Sequence, residues 1–159
     1  MNLPTSSPSL TCRKATNSDG EQIRKIVFDA LMSYGLVLDP AATDVDLFDL
    51  EKYYPEGTFW ILVDDESTIK GSFALYRVDR SRAEIRKMYF DPSIRGIGLG
   101  TWAMHFLIRE AKAMGYQTLT LETASVLKEA ISLYKKMGFQ TVPGLCHSHR
   151  CDVVMEMRL

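Results

Sequence analysis

A chain of 159 residues, 46% hydrophobic and 25% charged, has the size and balance of one globular domain with a substantial core. Its formal net charge of -1 offers no basic surface for nucleic acid or an anionic membrane, and no apolar run approaches the roughly 18 residues that a membrane span needs. Three cysteines (Cys12, Cys146 and Cys151) are too few and too irregularly spaced for a disulfide framework, so reduced thiols and a cytoplasmic location are expected.

Residues 1–9 carry Pro4, Pro8 and several Ser/Thr residues, without the basic and apolar stretches of a signal peptide; they read as a flexible tail. One domain is expected over 10–159. Leu10 to Ala15 suits a first strand. Ser18 and Glu21 have capping-box spacing, and Ile23, Ile26, Val27, Ala30 and Leu31 then recur at helical intervals up to Gly35. A weaker helix is expected over Asp44 to Tyr54. Three strands follow, Thr58 to Val63, Thr68 to Val78 and Ala83 to Phe90, joined by short polar turns as in an antiparallel meander. In the third, Ala83 and Ile85 are in phase but Met88 and Phe90 are not, which suggests a bulge or a strand buried on both faces. Beyond a glycine-rich turn come a helix over Thr101 to Met114 closed by Gly115, a strand over Thr118 to Leu121, a helix over Lys128 to Met137 closed by Gly138, and a last strand over Asp152 to Met157. The late strand–helix–strand unit implies an α+β fold with a mixed sheet.

The turn, Arg95-Gly96-Ile97-Gly98-Leu99-Gly100, is the most informative stretch. Three glycines at alternate positions strip side chains from a turn that enters a helix. Amides at a helix start lack intrahelical acceptors, and with the positive end of the helix dipole they attract phosphate. A P-loop would need Gly-Lys-Ser/Thr, whereas this loop ends Gly100-Thr101. A dinucleotide fingerprint would need a third glycine where Thr101 stands, and a parallel unit at the chain start. A plain tight turn is the remaining alternative.

The run from Ala83 to Gly100 resembles motif A of the GNAT superfamily of N-acetyltransferases, whose Q/R-x-x-G-x-G/A signature is met by Arg95, Gly98 and Gly100. Ala130-Ile-Ser-Leu-Tyr-Lys-Lys-Met-Gly-Phe139 resembles that family's second hallmark, A-x-x-L-Y-x-x-x-G-F. The resemblance covers about residues 10–159. It implies a single domain with a mixed, mostly antiparallel sheet flanked by helices on both faces, and acetyl-CoA as donor.

By the same resemblance, the pyrophosphate would lie on Arg95, Gly96, Ile97, Gly98, Leu99, Gly100 and Thr101, and the pantetheine arm along Met88, Tyr89 and Phe90. Tyr134 would donate a proton to the departing thiolate; a phenol with a reference pKa near 10 stays protonated at neutral pH. A lysine-like amine is only about 0.04% neutral at pH 7, so a base is useful. Glu84 is the first candidate, Glu122 the second, and His147 and His149 the third. Each has a bland alternative as a surface or packing residue. The family's frequent asparagine three residues before the motif alanine is replaced here by Leu127.

Cys146-His-Ser-His-Arg-Cys151 invites a metal reading. In a strand, His147, His149 and Cys151 would share a face, but the outer pair would lie about 13 Å apart, too far for one ion. No metal is expected, and a substrate-facing loop or plain surface fits better. The expected function is acetyl transfer to a small-molecule amine or amino acid. A protein lysine or N-terminal acetyltransferase, and a non-catalytic acyl-CoA sensor, are the competing possibilities. Homodimers are common among relatives, but nothing in the sequence specifies an interface.

Overall fold

The computed structural model describes residues 3–4 and 9–159. The expected tail, 1–9, therefore falls largely outside the described residues. Seven strands form one sheet: β1 (Leu10–Lys14), β2 (Phe59–Asp64), β3 (Ile69–Arg77), β4 (Arg82–Phe90), β5 (Thr118–Thr123), β6 (Gln140–Val142) and β7 (Val153–Arg158), in the order β1-β2-β3-β4-β5-β7-β6. Among the described residues, only β4 and β5 pair in parallel. The helices are α1 (Gly20–Ser33), α2 (Leu50–Tyr53), α3 (Leu99–Ala113) and α4 (Lys128–Lys136).

Helices cover both faces, so the central strands are apolar on both sides. Along β2, Phe59, Ile61 and Val63 pack with Ile23, Val27 and Leu31 of α1, while Trp60 and Leu62 pack with the α3 side. The α3 face is filled by Phe73, Leu75, Ala83, Ile85, Trp102, Ala103 and Leu107, with Trp60, Phe73, Trp102 and Phe106 in aromatic contact. Fully burying one such side chain contributes about 1.5–3 kcal/mol.

Three local expectations are corrected. The capping box is formed by Thr16 and Asp19, on a 3₁₀ turn just before α1, and not by Ser18 and Glu21. Asp19 is drawn there by Arg13, whose guanidinium grips it through two bonds of 2.9 and 2.7 Å. The helix expected over Asp44 to Tyr54 is interrupted: a 3₁₀ turn over Val45–Phe48 stops at Asp49, whose side chain accepts from Lys52 N and starts α2. The short edge strand β6 had no counterpart in the sequence pattern.

Two irregularities shape the centre of the sheet. Ser72 pairs with Tyr89 but Ala74 pairs with Arg86, so Lys87 and Met88 together oppose Phe73. This is the bulge that the phase slip suggested. Lys87 adopts φ 53°, and the buried Ser72 hydroxyl donates to its carbonyl at 2.8 Å, satisfying a group the ladder has lost. Meanwhile β4 and β5 share only the pairs Arg82–Thr118, Ala83–Leu119 and Glu84–Thr120. Beyond Glu84 the strands part, and from Ile85 to Phe90 the edge of β4 that faces β5 has no ladder partner.

Candidate active site

A cavity of about 900 Å³ occupies the gap between β4 and β5, running from the turn before α3 to the loop that joins β6 and β7. At one end lies the glycine turn. Gly96 and Gly98 have φ of 79° and 87°, a left-handed backbone that glycine adopts freely. The N–H groups from Gly96 to Thr101 meet no acceptor among the described residues; the next, Trp102, bonds Gly98 O at 3.0 Å. Arg95 differs from expectation, because its own N–H is spent on Pro92 O at 3.3 Å and its Nε on Phe90 O at 2.9 Å. The free run thus starts one residue later, at the head of a 15-residue helix.

Along the gap, the side chains of Met88 and Phe90 pack into the α3-side core and Tyr89 against the α1 side. Burial raises the Tyr89 phenol to about 12. Tyr134 of α4 lines the cavity, is 7% exposed, and its hydroxyl makes no hydrogen bond among the described residues. Burial, and then the neighbouring Tyr89, push its pKa well above the usual phenol value. The group is a protonated hydroxyl aimed at the cavity with no competing partner. Leu127 stands at the start of α4, also on the cavity wall, with no side-chain cap to offer.

Ala83, Ile85, Leu119 and Leu121 all face the α3 side, so alternation turns Glu84, Arg86, Thr120 and Glu122 to the other face. Glu84 accepts from Arg86 at 2.6 Å. Glu122 accepts the N–H groups of His147 (3.0 Å to each oxygen) and Ser148 (3.3 Å), and lies 2.5 Å from His147 Nδ1. Glu84, Glu122 and His147 line the same cavity, while His149 is exposed and outside it. Lys135 and Lys136 are exposed on α4.

The β6–β7 loop is kinked, not extended, and Cys146 and Cys151 form a disulfide with Cα atoms 5.5 Å apart. This corrects the expectation of reduced thiols. Five residues of separation look unremarkable in sequence, but the turn at Ser148–Cys151 folds the two ends together. The donor atoms of Glu122, Cys146 and Cys151 lie within 4.8 Å of one another, but the two sulfurs are bonded to each other. The third cysteine, Cys12 on β1, is unpaired, and burial, then Glu110, raises its thiol to about 11.

Four charged residues that the sequence did not single out hold this wall in place. Asp44, fully buried, accepts from Lys87 Nζ at 2.7 Å and from Arg150 at 2.7 and 2.9 Å. Lys87 Nζ also lies 3.1 Å from Asp46, which accepts a bond from Tyr54 Oη at 2.5 Å. Burial alone would raise the Asp44 carboxyl; the Arg150 hydrogen bonds and the Lys87 charge outweigh it and hold the pKa at about 2. The bulge, the segment before α2 and the β6–β7 loop are thereby joined at one carboxylate. The available signal was Lys87 itself, a cation at the phase slip of an otherwise buried strand.

The site thus combines a split parallel strand pair, a bulge and a run of free amides at a helix start. The profile of the Acetyltransferase (GNAT) family matches residues 25–139. The uncharacterized N-acetyltransferase YjgM of Escherichia coli (strain K12) is 32% identical over 97% of this chain and 96% of its own length. A GNAT-family acetyltransferase from Staphylococcus aureus Mu50 superposes with TM-score 0.85 at 19% identity, covering 94% of this chain and 99% of that one. The yncA structure from Salmonella typhimurium, a chain solved with acetyl-CoA, superposes with TM-score 0.72 at 21% identity, covering 94% of each. This chain belongs to the GNAT acetyltransferase family, and it is an acyltransferase with acetyl-CoA as cosubstrate. No helix among the described residues is long and apolar enough to cross a membrane.

Proposed function

We propose that the enzyme acetylates the primary amine of a small molecule or amino acid by direct attack on the thioester. The observation that carries the small-acceptor reading is the tethered far wall of the cavity. There the β6–β7 loop is tied down by Arg150 to Asp44 and by its own N–H groups to Glu122. A peptide or protein side chain would need that wall open. Direct attack is supported by the state of Cys151, the cysteine on the cavity wall, whose sulfur is in a disulfide and cannot carry an acyl group.

Acetyl-CoA supplies an acetyl group whose carbonyl carbon gains the acceptor nitrogen as its bond to sulfur breaks. The free amides from Gly96 to Thr101 hold the diphosphate, where charge-assisted bonds and the α3 dipole act together. The unpaired edge of β4 at Met88, Tyr89 and Phe90 receives the peptide-like arm, and a backbone N–H there polarises the carbonyl. Glu84, or Glu122 in its stead, takes the proton the amine loses. Tyr134 gives its hydroxyl proton to the departing sulfur.

The test is a coenzyme A release assay with purified protein, acetyl-CoA and a panel of amino acids, amines and peptides. Turnover with single amino acids or amines, and none with peptides, is expected. Preference for peptide lysines or N-termini would overturn the small-acceptor reading. At the phosphate end, Gly98→Val forces a β-branched residue to φ 87°, costing about 1–2 kcal/mol of backbone strain and crowding the amides. The free turn relieves that strain by leaving the left-handed conformation, and restoring it on binding is expected to lower coenzyme A affinity by calorimetry about 5- to 30-fold. An unchanged affinity would show that the diphosphate binds elsewhere.

A further inference from the structure

On the acceptor side, three cations line the cavity: Arg86, Lys87 and Arg150. Two of them already hold the buried Asp44 carboxylate. Lys87 is held by Asp44, Asp46 and the Thr43 carbonyl, and Arg150 by both oxygens of Asp44 and the Val37 carbonyl. Arg86 is different. Its guanidinium makes a single hydrogen bond, from Nη2 to Glu84 Oε2, and lies 3.7 Å over the Tyr76 ring, which fixes its plane. The rest of its five N–H donors have no acceptor among the described residues, although the side chain is only about a quarter exposed. A half-buried, immobilised fork with unused donors matches the two oxygens of a carboxylate. The same strand face carries Glu84 two residues away, and Glu122 lies across the split, so an anion receptor and two proton acceptors share one chamber.

We infer that Arg86 is the carboxylate receptor of the acceptor site, and that the acceptor is therefore a free amino acid, carboxylate on Arg86 and amine toward Glu84 and Glu122. The inference rests on the acetyl-transfer reading and narrows its substrate class. Lys87 and Arg150 are poorer receptors, because each already pairs with the buried Asp44, whose negative charge would lie beside a ligand carboxylate bound there.

The experiment compares an amino acid, its amide and its decarboxylated amine as acceptors, for example leucine, leucinamide and isoamylamine, with phenylalanine and its counterparts as a second set. The amide's amine is more acidic than that of the amino acid and the plain amine's is less so, and a preference for the acid over both therefore cannot come from amine acidity. Wild-type enzyme should favour the free acid over both counterparts by about 10- to 100-fold in kcat/KM, the worth of a hydrogen-bonded charge. Arg86→Gln should shrink that preference to within about threefold, chiefly by raising KM for the acid, and Arg86→Lys should restore part of it. Because each preference is a ratio within one variant, a change in proton-accepting strength at Glu84 that is common to the three acceptors cancels, and Arg86→Lys, which keeps Glu84 paired with a cation, controls for its charge. A wild-type preference for amide or amine, or an Arg86→Gln variant that keeps the preference for the acid, would overturn the inference while leaving acetyl transfer intact. If no acceptor is acetylated, acetyl transfer to small amines is what fails. Equilibrium dialysis of labelled leucine against leucinamide on coenzyme A-saturated protein then decides the carboxylate site by itself, and equal binding overturns it.

Discussion

Tyr134→Phe should lower kcat by about 10²- to 10⁴-fold, the usual worth of a positioned general acid, while acetyl-CoA affinity and melting temperature stay close to wild type. The separation follows from the structure. The Tyr134 hydroxyl makes no hydrogen bond within the described residues, so its removal breaks nothing that holds the fold, and the ring that packs against Phe139 remains. Burial and Tyr89 raise the phenol's pKa, so the proton stays in place across the neutral range and the wild-type rate has no basic limb from this group below about pH 10. Single-turnover kinetics should show the loss in the chemical step, not in product release. An unaltered single-turnover rate would remove Tyr134 from the reaction and leave it as a packing residue.

Asp44→Asn should destabilise the protein by about 3–5 kcal/mol, the cost of removing one partner from a buried charge cluster. For a domain of this size, that corresponds to a fall in Tm of about 6–20 °C. The amide cannot accept from Arg150 and Lys87 as a carboxylate does, and both cations are left inside with too few acceptors. Adding Lys87→Met should recover part of the loss, because one of the stranded charges goes with it. The wild-type contribution is also pH-dependent. The folded-state pKa of Asp44, about 2, is below its ordinary value, so its stabilisation is present above about pH 4 and is lost as pH falls through 2. The shift amounts to about 2 kcal/mol. Urea titrations between pH 7 and 2 should show the acid-side fall in wild type and a smaller one in Asp44→Asn. Equal slopes would mean the cluster contributes little.

Where local chain conformation carries the feature, the sequence was readable. The free amides and left-handed glycines near Gly98 follow from three bare residues ahead of a helix. The bulge at Lys87 follows from an apolar phase that changes between Ile85 and Met88. The helix stops at Gly115 and Gly138 follow from residues that take φ of 83° and 99°. What stayed hidden joins residues far apart in the chain. Asp44 and Lys87 are 43 positions apart, and Asp44 and Arg150 are 106 apart, and each looks like an ordinary solvated charge until the fold closes over it. The capping box is a local feature that was nonetheless misplaced: Thr16 and Asp19 offer the same spacing as Ser18 and Glu21, and Arg13, six residues from Asp19, selects the former. Glu84 and Glu122 could be named as carboxylates near the cleft, but their partners, Arg86 and the backbone of His147, are products of packing. The fold was therefore more legible than the acceptor wall.

The three shared pairs between β4 and β5 have a thermodynamic consequence. The sheet is, in effect, two leaves joined as far as Glu84, and a long molecule lying in the slot would supply the rungs missing beyond it. On the proposed mode of binding the donor substrate would also be a structural tie between the leaves, and at a concentration one hundred times its dissociation constant it would add about 2.7 kcal/mol to the stability of the folded chain. Under that mode of binding, resistance of the folded chain to unfolding should rise with the supply of the metabolite it consumes.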